Sequence, residues 1–270
     1  MIMNKCIYTV VINDYDYTFQ PIDSEVGTDY IVFTDNSNLR VEGWVTRLID
    51  MSLLTELGPS KTNRYYKFFP HKFLGDYDVS VYIDGNIRLI GSLKTLFHDF
   101  LTSDSEIGLL KHPLRTNVAE EVEACIERNK VKSADILRDE YLGYLADGFL
   151  DKQGMTENNV IIRLHNSENI IDAMRLWWSY LEQSAGRDQI SFPFVRQQMK
   201  LNEKVYEFNA RVDNPYFRLY SHKTRELLRD LGIYLHAKGL TSFCYKTLAR
   251  IYTRLLGYAA RALRLLKLRN

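Results

Sequence analysis

Apolar runs that break off at acidic or amide residues set the pattern of this chain. Residues 7–12 (IYTVVI) run into Asn13-Asp14-Tyr15-Asp16, residues 30–33 (YIVF) into Thr34-Asp35-Asn36, and residues 79–83 (VSVYI) into Asp84-Gly85-Asn86. Near-continuous apolar runs of this length predict strands buried on both faces, as in a parallel sheet of the α/β class, with a site at their carboxyl ends. Core formation explains the runs but not the three polar exits. Further strands are expected at 107–111 and 160–164. Helices are expected near 62–74, with Pro70 inside or at the end, at 92–101 with Ser92 as N-cap, and at 117–129, 135–147, 170–183 and 188–198. In 170–183, Ile170, Ile171, Met174, Trp177, Trp178 and Leu181 fall on one stripe. Residues 204–220 fit neither period, while 223–235 and 242–269 read as helices.

Composition adds little until the charges are located. The chain has 270 residues, 46% hydrophobic and 26% charged, which suits one large core with a small appendage. Its formal net charge of +1 hides an asymmetry, because no Asp or Glu occurs from Leu231 onward. In 242–269, Lys246, Arg250, Arg254, Arg261 and Arg264 share one helical arc, and Leu248, Ile251, Tyr252, Leu255, Ala259, Leu263 and Leu266 lie opposite. That pattern predicts a helix lying on an anionic membrane surface. Docking of the apolar face on the core is the competing explanation, and no nucleic-acid motif is present. Cys6, Cys125 and Cys244 are odd in number and widely spaced, so neither a zinc site nor a disulfide framework follows, and a reducing cytoplasm is expected. No run approaches the ~20 apolar residues of a membrane span. The short apolar start reads as the first strand rather than a signal peptide.

The candidate chemistry sits at the strand exits. Asp84 and Asn86 are two apart, so in an extended chain their oxygens point the same way and can converge on one divalent cation. Gly85 would let a diphosphate approach the backbone. A plain turn explains the same tripeptide. Arg64 and Lys67, three apart on one helix face, form either a diphosphate clamp or a solvated face.

The segments YTVVINDYDY, DYIVFTDN, NRYYKFFPHKFLGDYDVSVYIDGNI, KHPLR, VIIRLHN and WW…RDQISF follow one another in order. Together, over roughly residues 7–200, they resemble the glycosyltransferase-like domain family of plant turgor-regulation and seed-mucilage proteins, with bacterial relatives similar to capsule or lipopolysaccharide glycosyltransferases. The resemblance implies a GT-A-like fold over residues 1–200, a mostly parallel sheet flanked by helices, followed by a helical extension over 201–270. It implies a nucleotide-sugar donor, a glycan or lipid-linked acceptor, and Mn²⁺ or Mg²⁺. By the same resemblance Asp84, Asn86 and His165 are the metal ligands, with a neutral amide at the second acidic position. Asp14, Asp35, Arg64, Lys67 and Gly85 contact the donor. His112, Arg115 and Gln189 contact acceptor or phosphate. Asp188 is the catalytic carboxylate beside Arg187, although Asp188 also suits an N-cap. A cytoplasmic enzyme at the inner face of the cell membrane is expected. The alternative is a non-catalytic module of the same fold that binds sugar nucleotide or glycan and scaffolds a membrane-bound assembly.

Overall fold

The computed structural model describes residues 3–267 apart from 129, 132, 185, 212–213, 221 and 223–226, and side chains 227–230, 233, 256–257 and 259–267 also lie outside the description. The side chains of the expected cations Arg261 and Arg264, and residues 223–226 at the start of the helix expected at 223, therefore fall outside the description.

Three early strands, β1 (Lys5–Val11), β2 (Thr28–Thr34) and β4 (Val79–Ile83), are the three apolar runs, and β3 (Val45–Leu48) joins them at one edge. All four are parallel, in the order β3-β2-β1-β4. β7 (Thr156–Arg163) then pairs antiparallel with β4, and β6 (Ile107–Lys111) antiparallel with β7. β8 (Glu203–Tyr206) closes the far edge parallel to β6. A small ribbon of β5 (Ile87–Leu89) and β9 (Phe217–Leu219) lies apart. The result is the mixed α/β fold expected, with a mostly parallel central sheet flanked by helices. Residues 203–219, expected in the extension, supply strands to both sheets.

The period of two along each strand sends side chains to two cores. Tyr8, Val10, Tyr82 and Ile161 face α1 (Met51–Phe68) and α5 (Glu168–Gln183). Ile7, Val81, Ile83 and Ile162 face α2 (Lys94–Leu101). A third cluster joins α3 (Val118–Glu127), α4 (Ala134–Ala146) and α6 (Asp188–Met199). Each fully buried side chain of this kind contributes about 1.5–3 kcal/mol.

Local chemistry sets the helix bounds. α1 starts earlier than expected, capped by Asp50, and is broken at Gly58, whose φ of 72° precedes Pro59. Proline disfavours the helical region for the residue before it, and glycine tolerates the left-handed one. Pro70 opens a separate turn, Pro70–Lys72, after the helix. Ser92 does accept from the Lys94 amide at 3.2 Å, but Leu93 holds the cap position of α2. α7 (Leu227–Lys238) and α8 (Phe243–Lys267) form a hairpin in which the Tyr234 and Tyr245 rings lie 6.2 Å apart and His236 meets Thr253 at 3.1 Å. No described helix is long and apolar enough to cross a membrane.

The direction of β7 relocates His165. Because β7 is antiparallel to β4, its carboxyl end lies at the amino end of β4, across the sheet from Asp84. His165 is buried there, its Nε2 2.9 Å from the Leu74 carbonyl, and Asn166 bonds to Gly75 and Tyr77. It is a structural tie rather than a neighbour of Asp84 and Asn86. Burial first, and then the positive Arg163, outweigh the Leu74 hydrogen bond and push its pKa down to about 4. An unfolded histidine takes up a proton near pH 6.5, which the folded ring refuses until about pH 4. Stability should therefore be full above about pH 6.5 and fall by about 1–3 kcal/mol on acidification toward pH 4. Denaturant midpoints at pH 7 and 4.5 should show this fall in the wild type and a smaller one in His165→Gln.

Candidate functional site

A cavity of about 660 Å³ opens where β1 and β4 end and β7 begins. At its centre Lys67, near the end of α1, points its ammonium at Asp188, the first residue of α6, at 3.0 Å. Asp84, at the exit of β4, lies 4.0 Å from the same ammonium and accepts from the Tyr82 hydroxyl at 2.8 Å. The Tyr82 ring lies 5.1 Å below the ammonium. Each partner is fixed from behind. The buried Arg163 donates to the Lys67 carbonyl at 2.7 Å and to Tyr8. Trp177, stacked between Phe68 and Phe192, donates its indole N–H to the Asp188 carbonyl at 2.9 Å. The tryptophan is thus core rather than a sugar platform. The cap position of α6 is Arg187, so the Asp188 carboxylate is spent on Lys67 rather than on the helix.

The carboxylates differ in proton affinity. Burial alone would raise Asp188, but Lys67, Arg64 and Arg187 outweigh it and hold its pKa well below the usual carboxylate range. Asp84 is raised, by burial first and by Asp188 and Asp16, against the pull of Lys67 and Tyr82. Glu157 is raised by burial, against the pull of Arg211 at 2.5 Å.

The cavity brings together Arg64, Lys67, Asp84, Gly85, Asn86, Arg187, Asp188 and Gln189 from the expected set. Their placement changes some roles. Gly85 accommodates Asp16 rather than open space, since a Cβ there would lie 2.8 Å from the Asp16 Cβ. The Asn86 amide nitrogen donates to the Tyr220 carbonyl at 2.8 Å. Arg64 bonds Ser60, and its Nε has no hydrogen-bond partner among the described residues. The remaining expected residues do not line the cavity. Asp35 accepts from the Asn13 amide at 3.0 and 3.1 Å, and Asp14 is an exposed residue of the left-handed turn that follows β1. His112 Nδ1 accepts from the Arg115 amide at 2.7 Å and the Leu114 amide at 3.1 Å. Arg115 lies 3.6 Å from the buried Glu121.

Residues outside the expected set also face the cavity. Glu157, Asn158 and Asn159 begin β7, and Asp16, Arg211 and His222 converge from distant loops. Asp16 meets His222 Nδ1 at 2.6 Å. Among the described residues no three His, Cys, Asp or Glu side chains gather at metal-binding spacing. Asp84, Asn86 and His222 all line the cavity, whereas His165 does not. Asp16 was visible in the first polar exit, but His222 follows an aromatic segment without period, and only the fold brings it here.

A charged cavity outside the carboxyl ends of parallel strands is where open α/β sheets bind their ligands. The model of the TOD1/MUCI70 glycosyltransferase-like domain matches residues 15–222, and the chain belongs to that family. It is similar to a protein of Arabidopsis thaliana named alkaline ceramidase TOD1, 23% identical over 258 residues, covering 83% of this chain and 56% of that protein. The chain thus spans about half the length of that relative. Among solved structures it is similar to the bifunctional glycosyltransferase WbbM in its apo form, with a TM-score of 0.46 and 12% identity over 76% of this chain and 39% of that one. It is also similar to apo mouse xyloside xylosyltransferase 1, with a TM-score of 0.44 and 9% identity over 74% and 84%.

Lys67 and Asp188 should behave as one unit. Asp188→Asn should cost about 2–3 kcal/mol in denaturant unfolding, because it leaves a buried ammonium without its main partner. Lys67→Met combined with Asp188→Leu should cost clearly less than the two single changes added together. The contribution of a carboxylate held low is present above about pH 4 and lost below it, so Asp188→Asn should also flatten the acid limb of the stability curve.

Proposed function

We propose that this chain transfers a sugar from a nucleoside-diphosphate donor to a glycan or lipid-linked acceptor, in assembly of a surface polysaccharide such as capsule or lipopolysaccharide. The observation that carries this reading is the order of charge in the cavity. Arg64 and Arg187 flank the Lys67–Asp188 pair, and the Nε atoms of both arginines lack hydrogen-bond partners among the described residues. A diphosphate would take up those donors, and the fixed cations would stabilise the charge that grows on it as the sugar leaves. Asp188, held anionic, is a weak proton acceptor; it positions Lys67 and faces positive charge developing on the sugar. Asp84 and Glu157, both raised, hold protons more readily. Asp84, Asn86 and His222 would hold Mn²⁺ or Mg²⁺, which supplies positive charge against the leaving diphosphate.

The proposal extends to location, at the cytoplasmic face of the cell membrane. On α8, Leu248, Ile251, Leu255 and Tyr258 are 49–66% exposed, beside the exposed cations Lys246, Arg250 and Arg254. Another part of the apolar side meets α7, where a Cβ on Gly232 would touch the Tyr252 ring at 3.0 Å. The exposed strip and cations suit an interfacial helix over an anionic leaflet. The name of the Arabidopsis relative raises a second reading, cleavage of a ceramide amide. It would set an acyl chain against walls that are mainly charged and polar.

Thermal shift against nucleotide sugars, with and without Mn²⁺, should reveal a stabilising donor, since a ligand bound only to the native state raises its melting temperature. Turnover of that donor should vanish in Asp84→Ala while the fold persists. Donor binding without any hydrolysis or transfer would favour the scaffold, and sphingosine release from ceramide without donor binding would favour the amidase. Separately, Ile251→Glu with Leu255→Glu should abolish sedimentation with phosphatidylglycerol vesicles and leave donor binding intact. Wild-type sedimentation should weaken as salt rises.

A further inference from the structure

One wall of the cavity carries polar groups with no partner among the described residues. β7 pairs regularly with β6 from Ile107↔Arg163 to Leu109↔Ile161, and then the register jumps so that Leu110 faces Glu157. The jump takes Asn158, Asn159 and Val160 out of that ladder, an irregularity that re-aims side chains beside sites. Asn158 is 6% exposed and lines the cavity, yet among the described residues neither its Oδ1 nor its Nδ2 has a hydrogen-bond partner. Glu157 Oε2, Asn159 Oδ1 and Arg211 Nε, on residues that also line the cavity, share this lack. Buried polar atoms are almost always paired, so several on one wall point to a ligand.

The chemistry of the set selects the ligand. An amide offers a donor and an acceptor side by side. A phosphate only accepts, so it would satisfy Nδ2 and be repelled by Oδ1, by Asn159 Oδ1 and by Glu157 Oε2. A ring with vicinal hydroxyls donates and accepts at each oxygen and matches all of them. A nucleobase edge offers a similar pair, but the aromatic rings lining the cavity, Tyr15 and Tyr82, sit after β1 and on β4 rather than on this wall. Sheet order adds direction, since β4 with Asp84 separates β1 from β7. A donor whose diphosphate lies against Arg64 and Lys67 carries its sugar past Asp84 toward β7.

We propose that Asn158, beside Glu157 and Asn159, binds vicinal hydroxyls of the transferred sugar and so sets which sugar is accepted; this rests on the glycosyl-transfer reading above. Calorimetry with UDP, UDP-glucose, UDP-galactose, UDP-N-acetylglucosamine, GDP and GDP-mannose tests it. For the sugar nucleotide that wild type binds, Asn158→Ala should weaken affinity about tenfold while the matching free nucleotide changes less than about twofold. A deoxy analogue lacking the contacted hydroxyl should lose affinity in wild type and lose nothing further in Asn158→Ala. Unliganded Asn158→Leu should melt no lower than wild type, because the amide has no partner to give up.

An unchanged ratio of sugar-nucleotide to nucleotide affinity in Asn158→Ala overturns the assignment. So does equal weakening of both ligands, or a melting temperature that drops in Asn158→Leu, since each marks a structural residue. If wild type binds none of the six probes, the glycosyl-transfer reading fails first and the assignment falls with it.

Discussion

The Lys67 ammonium and the Asp188 carboxylate, 3.0 Å apart and almost out of reach of water, impose a constraint on the surrounding architecture. A buried ion pair is tolerable only where both ends are held in register by further hydrogen bonds. Arg163 on β7 and Tyr8 on β1 therefore grip the Lys67 carbonyl, and Trp177 on α5 grips the Asp188 carbonyl. Two strands and three helices are tied to one pair of charges. Lys67 holds Asp188 down, whereas burial raises Asp84 and Glu157 against the pull of Lys67 and Arg211 respectively.

Much of the frame was legible in the sequence because it follows from burial. The runs at 7–12, 30–33 and 79–83 are strands because both of their faces are covered, and their polar exits do reach or adjoin the cavity. Strand direction was not legible. VIIRLHN has an apolar run and a polar exit like the others, yet β7 runs the other way, so its entrance, Glu157-Asn158-Asn159, faces the cavity and His165 does not. The signal that separates the cases was present on the other side of the run. Four consecutive polar residues directly precede the apolar stretch, and three of them, Thr156, Glu157 and Asn158, are buried.

Single residues were legible in place more often than in role. Arg64, Lys67, Arg187, Asp188 and Gln189 were placed by resemblance and do share the cavity, but Lys67 is a buried hub rather than a free clamp. Asp14 and Asp35 read like Asp16 in the sequence, and only the left-handed backbone at Asn13 and Asp14 decides which carboxylate turns inward. His222 had no local signal, because its meaning comes from Asp16.

The Asp16–His222 contact joins residues 206 apart in the chain. Translation delivers residue 16 long before residue 222, and domains fold as their parts emerge. β1 can meet β2 while most of the protein is still unmade, but the rim of the cavity must wait for the last strand of the small ribbon and the residues beyond it. During that interval the charged floor is open to solvent or to a chaperone. A ribosome that stalls before residue 222 would release a chain with most of its sheet formed and this rim incomplete.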